Sequence, residues 1–500
     1  FFYHSDCLDR IWKEGIYIPT SNSITELLDI VDKDSEIIDC HVEEHCNLKH
    51  VVVRKKLKPM YCPYCHSRLY SKGTFTRHPN NQVLQDDYVL DLTVIGRRWK
   101  CSNPECDYTC ADKFDFLERR KRSTKIIPIL ILKELKDLKK TCAEVAREFH
   151  VSDTYVHQVF QQYVDMPRKK LTSIISIDEV FLNICSEYKY ALVIMDFITG
   201  EILDVLPSRR EKYTCAYFLG IPQEERDAVK YQITDMYNPY INYTHRYFKH
   251  AKPICDSFHV IQWLNNLINR YITEVKKRYQ ERDRKALANK NQNSNKEFET
   301  QADSDEVYIL KKAKWVLLEN SDNITYFPRC FNQKLQRTLD TYQWEDLFMK
   351  LDPDFDRIKL YKDLYEQFNG DYINAPDQAA KRLDELIEFY GKCDIKIFNA
   401  FSRLLKTYHD PIINSFTYLK VEDVNNAHKS LRRLSNGPME SFNNKPSNLR
   451  SDSHGVSNFS FVRNRLLWAT RDDASILGVP KTPEQVHRYT GKKRGPYNKH

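Results

Sequence analysis

No apolar stretch in this sequence is long enough to cross a membrane. The longest aliphatic run, Ile126-Ile127-Pro128-Ile129-Leu130-Ile131-Leu132, falls far short of the roughly 20 residues a spanning helix needs. No apolar core follows a charged start, so a secretory leader is not expected. Internal repeats are absent, which excludes a solenoid or a propeller. The 14 cysteines among 500 residues are too sparse for a disulfide scaffold. Together these absences lead to a reducing, cytoplasmic compartment, where close cysteine pairs more often bind a metal than each other. A large charge excess is missing as well. With 77 basic and 69 acidic residues the net charge is +8, compatible with nucleic acid but not diagnostic of it.

The basic residues are unevenly placed. Arg97, Arg98, Lys100, Arg119, Arg120, Lys121, Arg122 and Lys125 crowd one stretch, and the C-terminal Gly491–His500 segment is a second cluster. Residues 36–58 alternate apolar and polar side chains and predict a β-hairpin. Cys40-His41 and His45-Cys46 fall on that hairpin and read as structural. Two tight cysteine turns follow, Cys62-Pro63-Tyr64-Cys65 and Cys101-Ser102-Asn103-Pro104-Glu105-Cys106. Such turns can present four thiolates to one tetrahedral zinc, so a structural Zn2+ is expected on Cys62, Cys65, Cys101 and Cys106. Cys110 is the alternative to Cys106.

The period then changes to helical. Ile126–Lys139 reads as a helix. Thr141 is placed as an N-cap with Glu144 completing a capping box. Ser152 caps a third helix over Asp153–Val164, with Val156, Val159 and Phe160 inward. Two short helices, a tight turn and an amphipathic helix predict a helix-turn-helix. Thr154, Tyr155, His157 and Gln158 would face the DNA groove, and Arg119, Arg120 and Arg122 would contact phosphates.

From residue 171 the pattern becomes strand, hairpin, helix, strand, helix, strand. That order fits a ribonuclease-H-like sheet, in which the first and fourth strands lie side by side. Asp178 and Asp235 each end a short apolar run, and a carboxylate at the tip of a buried strand is costly unless positive charge meets it. Glu440, in the first turn of a helix opened by Pro438, would be the third carboxylate. Three such groups suit two Mg2+ (or Mn2+) ions that clamp the attacking and leaving oxygens of an in-line phosphoryl transfer. Asp256 ends another short strand beside His259 and competes with Asp235. Glu179 points to the opposite strand face and reads as structural. Asp196 and Asp204 read as strand-edge polar residues, and Trp263 and Trp315 as core. Residues 260–430 are mostly helical, with a polar break at 289–296.

Taken together, these motifs resemble the bacterial insertion-sequence transposases of the ISL-three type, a DDE transposase family. The resemblance covers roughly residues 25–470. Its most specific parts are Cys255-Asp256-Ser257-Phe258-His259-Val260 and Asn436-Gly437-Pro438-Met439-Glu440-Ser441-Phe442-Asn443-Asn444-Lys445; Gly455, Asn458-Phe459 and Phe461-Val462-Arg463-Asn464-Arg465 also match. The resemblance implies Asp178, Asp235 and Glu440 as catalytic triad and metal ligands, with Asn444, Lys445 and Arg463 against DNA. It implies double-stranded DNA as partner, both terminal inverted repeats and target, and at least a homodimer on DNA. Pro446 departs from the family pattern and would bend its helix.

The expected fold class is therefore multidomain α/β: a ribonuclease-H-like catalytic domain with a helical insertion, preceded by a zinc-ribbon-like module and a helix-turn-helix. The expected partition is 1–58 (hairpin segment), 59–115 (zinc module), 120–168 (helix-turn-helix), 171–259 (first part of the catalytic core), 260–430 (helical insertion), 431–470 (core completion with Glu440) and 471–500 (basic tail). Two other classes share parts of this pattern: a transposase-derived DNA-binding protein without transposition activity, and a ribonuclease-H-like nuclease that cuts but does not join.

Overall fold

The computed structural model describes residues 32, 34–43, 45, 47–79, 82–83, 88–117, 123–185, 187–291, 303–422, 429–453 and 458–488. Cys46, Arg119, Arg120, Lys121, Arg122 and Gly455 lie outside them, as do residues 1–20 and the basic end of the tail. The chain divides into two compact units, Phe1–Pro167 with Asn448–His500, and Arg168–Ser447. Among the described residues, no helix is long and apolar enough to cross a membrane.

In the first unit, β1 (Ser35–Glu43) and β2 (Leu48–Lys55) form the expected antiparallel hairpin. They continue into a six-stranded sheet with β3 (Leu69–Arg77), β4 (Gln82–Val83), β5 (Val89–Cys101) and β6 (Thr109–Ala111). The hairpin and the cysteine module, which the sequence pattern separates at residue 58, thus share one sheet. The reason is the length of β5. Its first half pairs in parallel with β2, and its second half, which ends in Cys101, pairs antiparallel with β3. Leu90, Leu92 and Val94 alternate along β5 and pack on Val51, Val53, Phe114 and Phe116.

Three helices follow, Ile126–Glu134, Cys142–Glu148 and Asp153–Tyr163. Both expected caps are present: Thr141 with Glu144 as a capping box, and Ser152 accepting from the Tyr155 amide at 3.2 Å. The first helix stops at Glu134 and does not reach Lys139. A tertiary contact overrides the helical pattern there. The buried guanidinium of Arg465 donates to the Asp137 and Lys140 carbonyls at 2.7 and 2.9 Å. Arg465 sits on the helix Phe459–Thr470, whose Trp468 indole also donates to the Leu132 carbonyl at 3.0 Å. The C-terminal segment is therefore built into the three-helix packing.

The second unit carries a five-stranded sheet. β7 (Ile174–Phe181), β8 (Tyr190–Asp196) and β9 (Ile202–Leu206) form an antiparallel meander; β10 (Tyr231–Thr234) and β11 (Lys252–Cys255) add to β7 in parallel, in the order β11-β10-β7-β8-β9. The first and fourth strands of this unit are adjacent, as the element order predicts. β8 and β9 are buried almost throughout, which matches their continuous apolar runs. Asp196, the last residue of β8, and Asp204, on the edge strand β9, are both buried. Asp196 is held by the Thr172 and Thr199 hydroxyls at 2.9 and 2.7 Å.

The helix Ser257–Asn291 leads out of β11. Val260, Leu264, Ile268 and Ile272 recur every fourth residue and form its buried stripe. They pack with Phe355, Tyr365, Phe398 and Phe401 from later helices. This region also holds two hairpins that the helical pattern hides, Cys330–Asn332 with Arg337–Leu339, and Tyr418–Glu422 with Lys429–Arg433. The polar break at 289–296 starts inside the long helix; residues 292–296 lie outside the described residues.

Replacing Arg465 by Met keeps the side-chain bulk but strips two carbonyls of their charged donor. The expected cost is on the order of 3 kcal/mol in urea unfolding of the first unit. A loss below about 1 kcal/mol would mean that water satisfies these carbonyls equally well.

Candidate active site

Strand register brings the aspartates together. β10 runs parallel to β7 with Ile233 opposite Ser176, and β11 runs parallel to β10 with Thr234 opposite Cys255. Continuing both registers sets Asp235 beside Asp178 and Asp256 beside Asp235, one row across three strands. Asp178 does not sit at a strand tip, contrary to the expectation from its apolar run. β7 continues to Phe181, with Asp178 paired to Val193 of β8. What ends level with Asp178 is β10.

Glu440 arrives on the helix Gly437–Asp452, in its first turn as expected. Pro446 is accommodated inside this helix rather than ending it. The residue before the helix, Asn436, has two tasks. Its carbonyl accepts from the Met439 and Glu440 amides at 2.9 and 3.0 Å, starting the helix. Its side-chain amide donates to Asp178 and to Asp235, at 3.3 Å each. Two turns further on, Asn443 donates to Asp178 at 2.7 Å. His259, in the first turn of the helix after β11, places Nε2 2.7 Å from Asp235 and 3.6 Å from Glu440. Ligand atoms of Asp256, His259 and Glu440 all lie within 4.8 Å of one another. The structure thus gathers Asp178, Asp235, Asp256 and Glu440, linked by Asn436 and His259. The two asparagines carry no role in the expectations from sequence. Their signal is the spacing of Asn436, Glu440 and Asn443, which puts all three on one helix face.

The electrostatics show negative charge in excess. Burial first, and then the Asp235 charge, push Asp178 up to about 7. Burial also raises Asp256 and Glu440, with carboxylate neighbours adding to both. For His259, burial pulls downward, but Asp235, Asp256 and Glu440 outweigh it and lift the imidazole to about 9. The side-chain oxygens of Asn436 and Asn443 are buried with no hydrogen-bond partner among the described residues. Hard carboxylate oxygens, uncompensated charge and orphaned amide oxygens form a donor set that suits divalent cations such as magnesium.

A cleft of about 240 Å³ opens beside Asp235, lined also by Glu179, Arg209, Tyr237, Tyr240, His259 and Trp263. Glu179 is paired there with Arg209 and with the Tyr240 hydroxyl, which fits its structural reading. Trp263 stacks on Phe401 at 6.2 Å, and Trp315 packs against Phe327 at 6.0 Å.

In the first unit, Cys62, Cys65, Cys101 and Cys106 converge with all sulfurs within 4.8 Å. The pairs Cys62–Cys106 and Cys65–Cys101 approach to 3.7 and 3.3 Å. Cys110 is not part of this group. On the helix Asp153–Tyr163, Thr154 and Gln158 are exposed. The Tyr155 hydroxyl donates to Ser123 at 3.0 Å, and the exposed His157 ring lies 4.5 Å from that of Phe461. Asn444 and Lys445 are exposed on their helix. Arg463 donates to the Met166 carbonyl at 2.8 Å.

A family model described as transposase, of the DDE ISL-three (ISL3) type, matches residues 175–466. The chain is also similar to the transposase for insertion sequence element IS1001 of Bordetella parapertussis. The two are 22% identical over 395 residues, covering 77% of this chain and 87% of that protein.

The raised carboxyl of Asp178 has a stability consequence in the metal-free protein. Its folded value of about 7 lies above the ordinary value of 3.8, so the folded state binds its proton more tightly. That contribution is complete below pH about 4 and is lost as pH rises through about 7. In chelator, wild-type protein should therefore unfold at lower urea at pH 7.5 than at pH 5, and Asp178→Asn should show a smaller drop. Equal drops in both proteins would show that Asp178 is already ionised at pH 5.

Proposed function

The chain belongs to the ISL-three family of DDE transposases, and on that premise we propose that it binds the terminal inverted repeats of an insertion sequence and performs metal-dependent cleavage and strand transfer. The observation that carries this reading is the row of Asp178 and Asp235 set level by the register of adjacent parallel strands, with Glu440 brought by a separate helix to the His259 that contacts Asp235. The strand order, with its antiparallel meander and two added parallel strands, supports a ribonuclease-H-like core. Asp178, Asp235 and Glu440 would hold magnesium here, and the ion would supply Lewis-acid activation of a water or 3′-hydroxyl and stabilise the leaving oxygen.

The residues of the chain do the positioning. Asn443 and the Glu179 amide fix the two oxygens of Asp178, at 2.7 Å each. Asn436 couples the start of the Glu440 helix to both aspartates, so the third carboxylate cannot move independently of the other two. His259 carries positive charge against Asp235 and Glu440 and holds them in place. Lys445 and Asn444, exposed beyond Asn443 on the same helix, are suited to phosphate contacts. Outside the active site, we assign one zinc to Cys62, Cys65, Cys101 and Cys106. The three helices from Ile126 to Tyr163 read the terminal repeat, with Thr154 and Gln158 as the side chains presented for base contacts. Tyr155 is also bonded to Ser123, the exposed His157 ring lies against Phe461, and Arg463 is bonded to the Met166 carbonyl. Arg119, Arg120 and Arg122 supply phosphate contacts. Two ends must be joined, so the protein acts as at least a dimer on DNA.

The test is cleavage and joining of end-bearing duplexes in magnesium, scored separately. Asp178→Ala, Asp235→Ala and Glu440→Ala should each abolish both reactions while leaving end binding intact. If Asp256→Ala removes activity and Asp235→Ala does not, the second ligand is Asp256. Cleavage without joining would identify a nuclease instead.

Binding supplies a second check. Gln158→Ala should cost about 1–3 kcal/mol on the cognate end and much less on scrambled DNA, as loss of a base contact does. Equal affinity of the wild-type protein for both duplexes across a salt series would remove sequence-specific end recognition.

A further inference from the structure

The N-terminal sheet carries a group of metal-ligating side chains outside both sites described above. His41 on β1 stands directly opposite His50 on β2, and His50 stands directly opposite Asp91 on β5. Glu43 lies two residues beyond His41, on the same face of β1. The imidazoles stack with centroids 4.6 Å apart and planes 20° from parallel. Nδ1 of His50 lies 2.7 Å from a carboxylate oxygen of Asp91, and an ionised carboxylate there keeps the ring proton on Nδ1. Nε2 of His50 is buried with no hydrogen-bond partner among the described residues, and Glu43 lies 3.6 Å from it. Asp39 stands 3.6 Å from Nδ1 of His41. One ligand atom from each of His41, Glu43 and His50 falls within 4.8 Å of the others.

We propose that His41, Glu43 and His50 form a second transition-metal site, which takes zinc or a similar divalent ion through two imidazoles and one carboxylate. Two neutral imidazoles with a carboxylate are a ligand set that zinc accepts, and three protein ligands leave one position open to water. The Asp91 carboxylate behind His50 provides the orientation that metal-bound histidines ordinarily have. Tetrahedral zinc requires donor atoms roughly 3.4 Å apart at bonds of about 2.0–2.1 Å. The exposed side chains of His41 and Glu43 can rotate to close that gap. The ion would pin the edge strand β1 to β2, and its affinity would be weaker than that of a buried four-thiolate site.

Cobalt(II) and zinc titration of the full-length, reduced protein tests this. Cobalt in the cysteine cluster gives intense thiolate charge-transfer absorption, whereas the proposed site gives only weak visible bands. The wild type should bind a second equivalent without thiolate absorption, and micromolar zinc should raise its melting temperature. His41→Ala and His50→Ala should each weaken that equivalent at least tenfold and abolish the zinc-induced shift, with the thiolate signal unchanged. His41 is exposed, so its variant keeps the test valid if the His50 variant folds poorly. A second equivalent retained at wild-type affinity by His41→Ala, or no second equivalent in the wild type, would overturn the proposal. Either result is independent of whether the protein transposes DNA.

Discussion

Mutual repulsion among the carboxylates of β7, β10 and β11 is the constraint on which the second unit depends. Neighbouring strands lie about 4.8 Å apart. Two unit charges at that distance repel by roughly 3 kcal/mol at an effective dielectric of 20. A whole domain is stable by only about 5–15 kcal/mol, so a row holding Asp178, Asp235 and Asp256 consumes a large share unless protons or cations neutralise it. The surroundings reflect this. β7 and β8 are buried on both faces, and the helix Ser257–Asn291 leaves β11 with a continuous apolar stripe. The apolar framework offsets the charge, and the raised carboxyls of Asp178, Asp256 and Glu440 are what remains visible of the conflict.

Elements are legible in the sequence where local chemistry decides them. Thr141 with Glu144, and Ser152, are caps that need no tertiary partner, and both helices start where these residues say. The meander and the two parallel strands are readable from apolar runs and their order. Local patterns mislead where distant residues decide. The helical pattern continues past Glu134, but Arg465 takes the carbonyls of the following turns from more than 300 positions away, and nothing local announces that. The length of β5 merges two regions that turn residues separate on paper. Two hairpins among the helices escape because a three-residue strand such as Cys330–Asn332 is too short to establish a period.

The candidate site shows the same division. Asp178, Asp235 and Glu440 stand out because a carboxylate after an apolar run or after a helix-opening Gly-Pro is locally anomalous. Asn436 and Asn443 do not, because asparagine before or within a helix is unremarkable. Their function exists only once β7 and the helix Gly437–Asp452 meet. Local rules are violated at the candidate site and obeyed in the three-helix module, which is the pattern expected when chemistry rather than stability selects the residues.

The choice of amides around Asp178 follows from what the site has to do. An arginine or lysine in place of Asn443 would satisfy the aspartate fully and stabilise the metal-free fold. It would also occupy, with its own charge, the position that a divalent ion needs. An amide directs a carboxylate oxygen without cancelling its charge, so the attraction for a cation survives. The positive side chain that is present, His259, sits 2.7 Å from Asp235 and is farther from Glu440, at 3.6 Å. It reduces repulsion on one side of the row and leaves Asp178 to neutral partners. Orientation is thereby supplied by groups that carry no net charge, and the remaining negative charge stays available to cations.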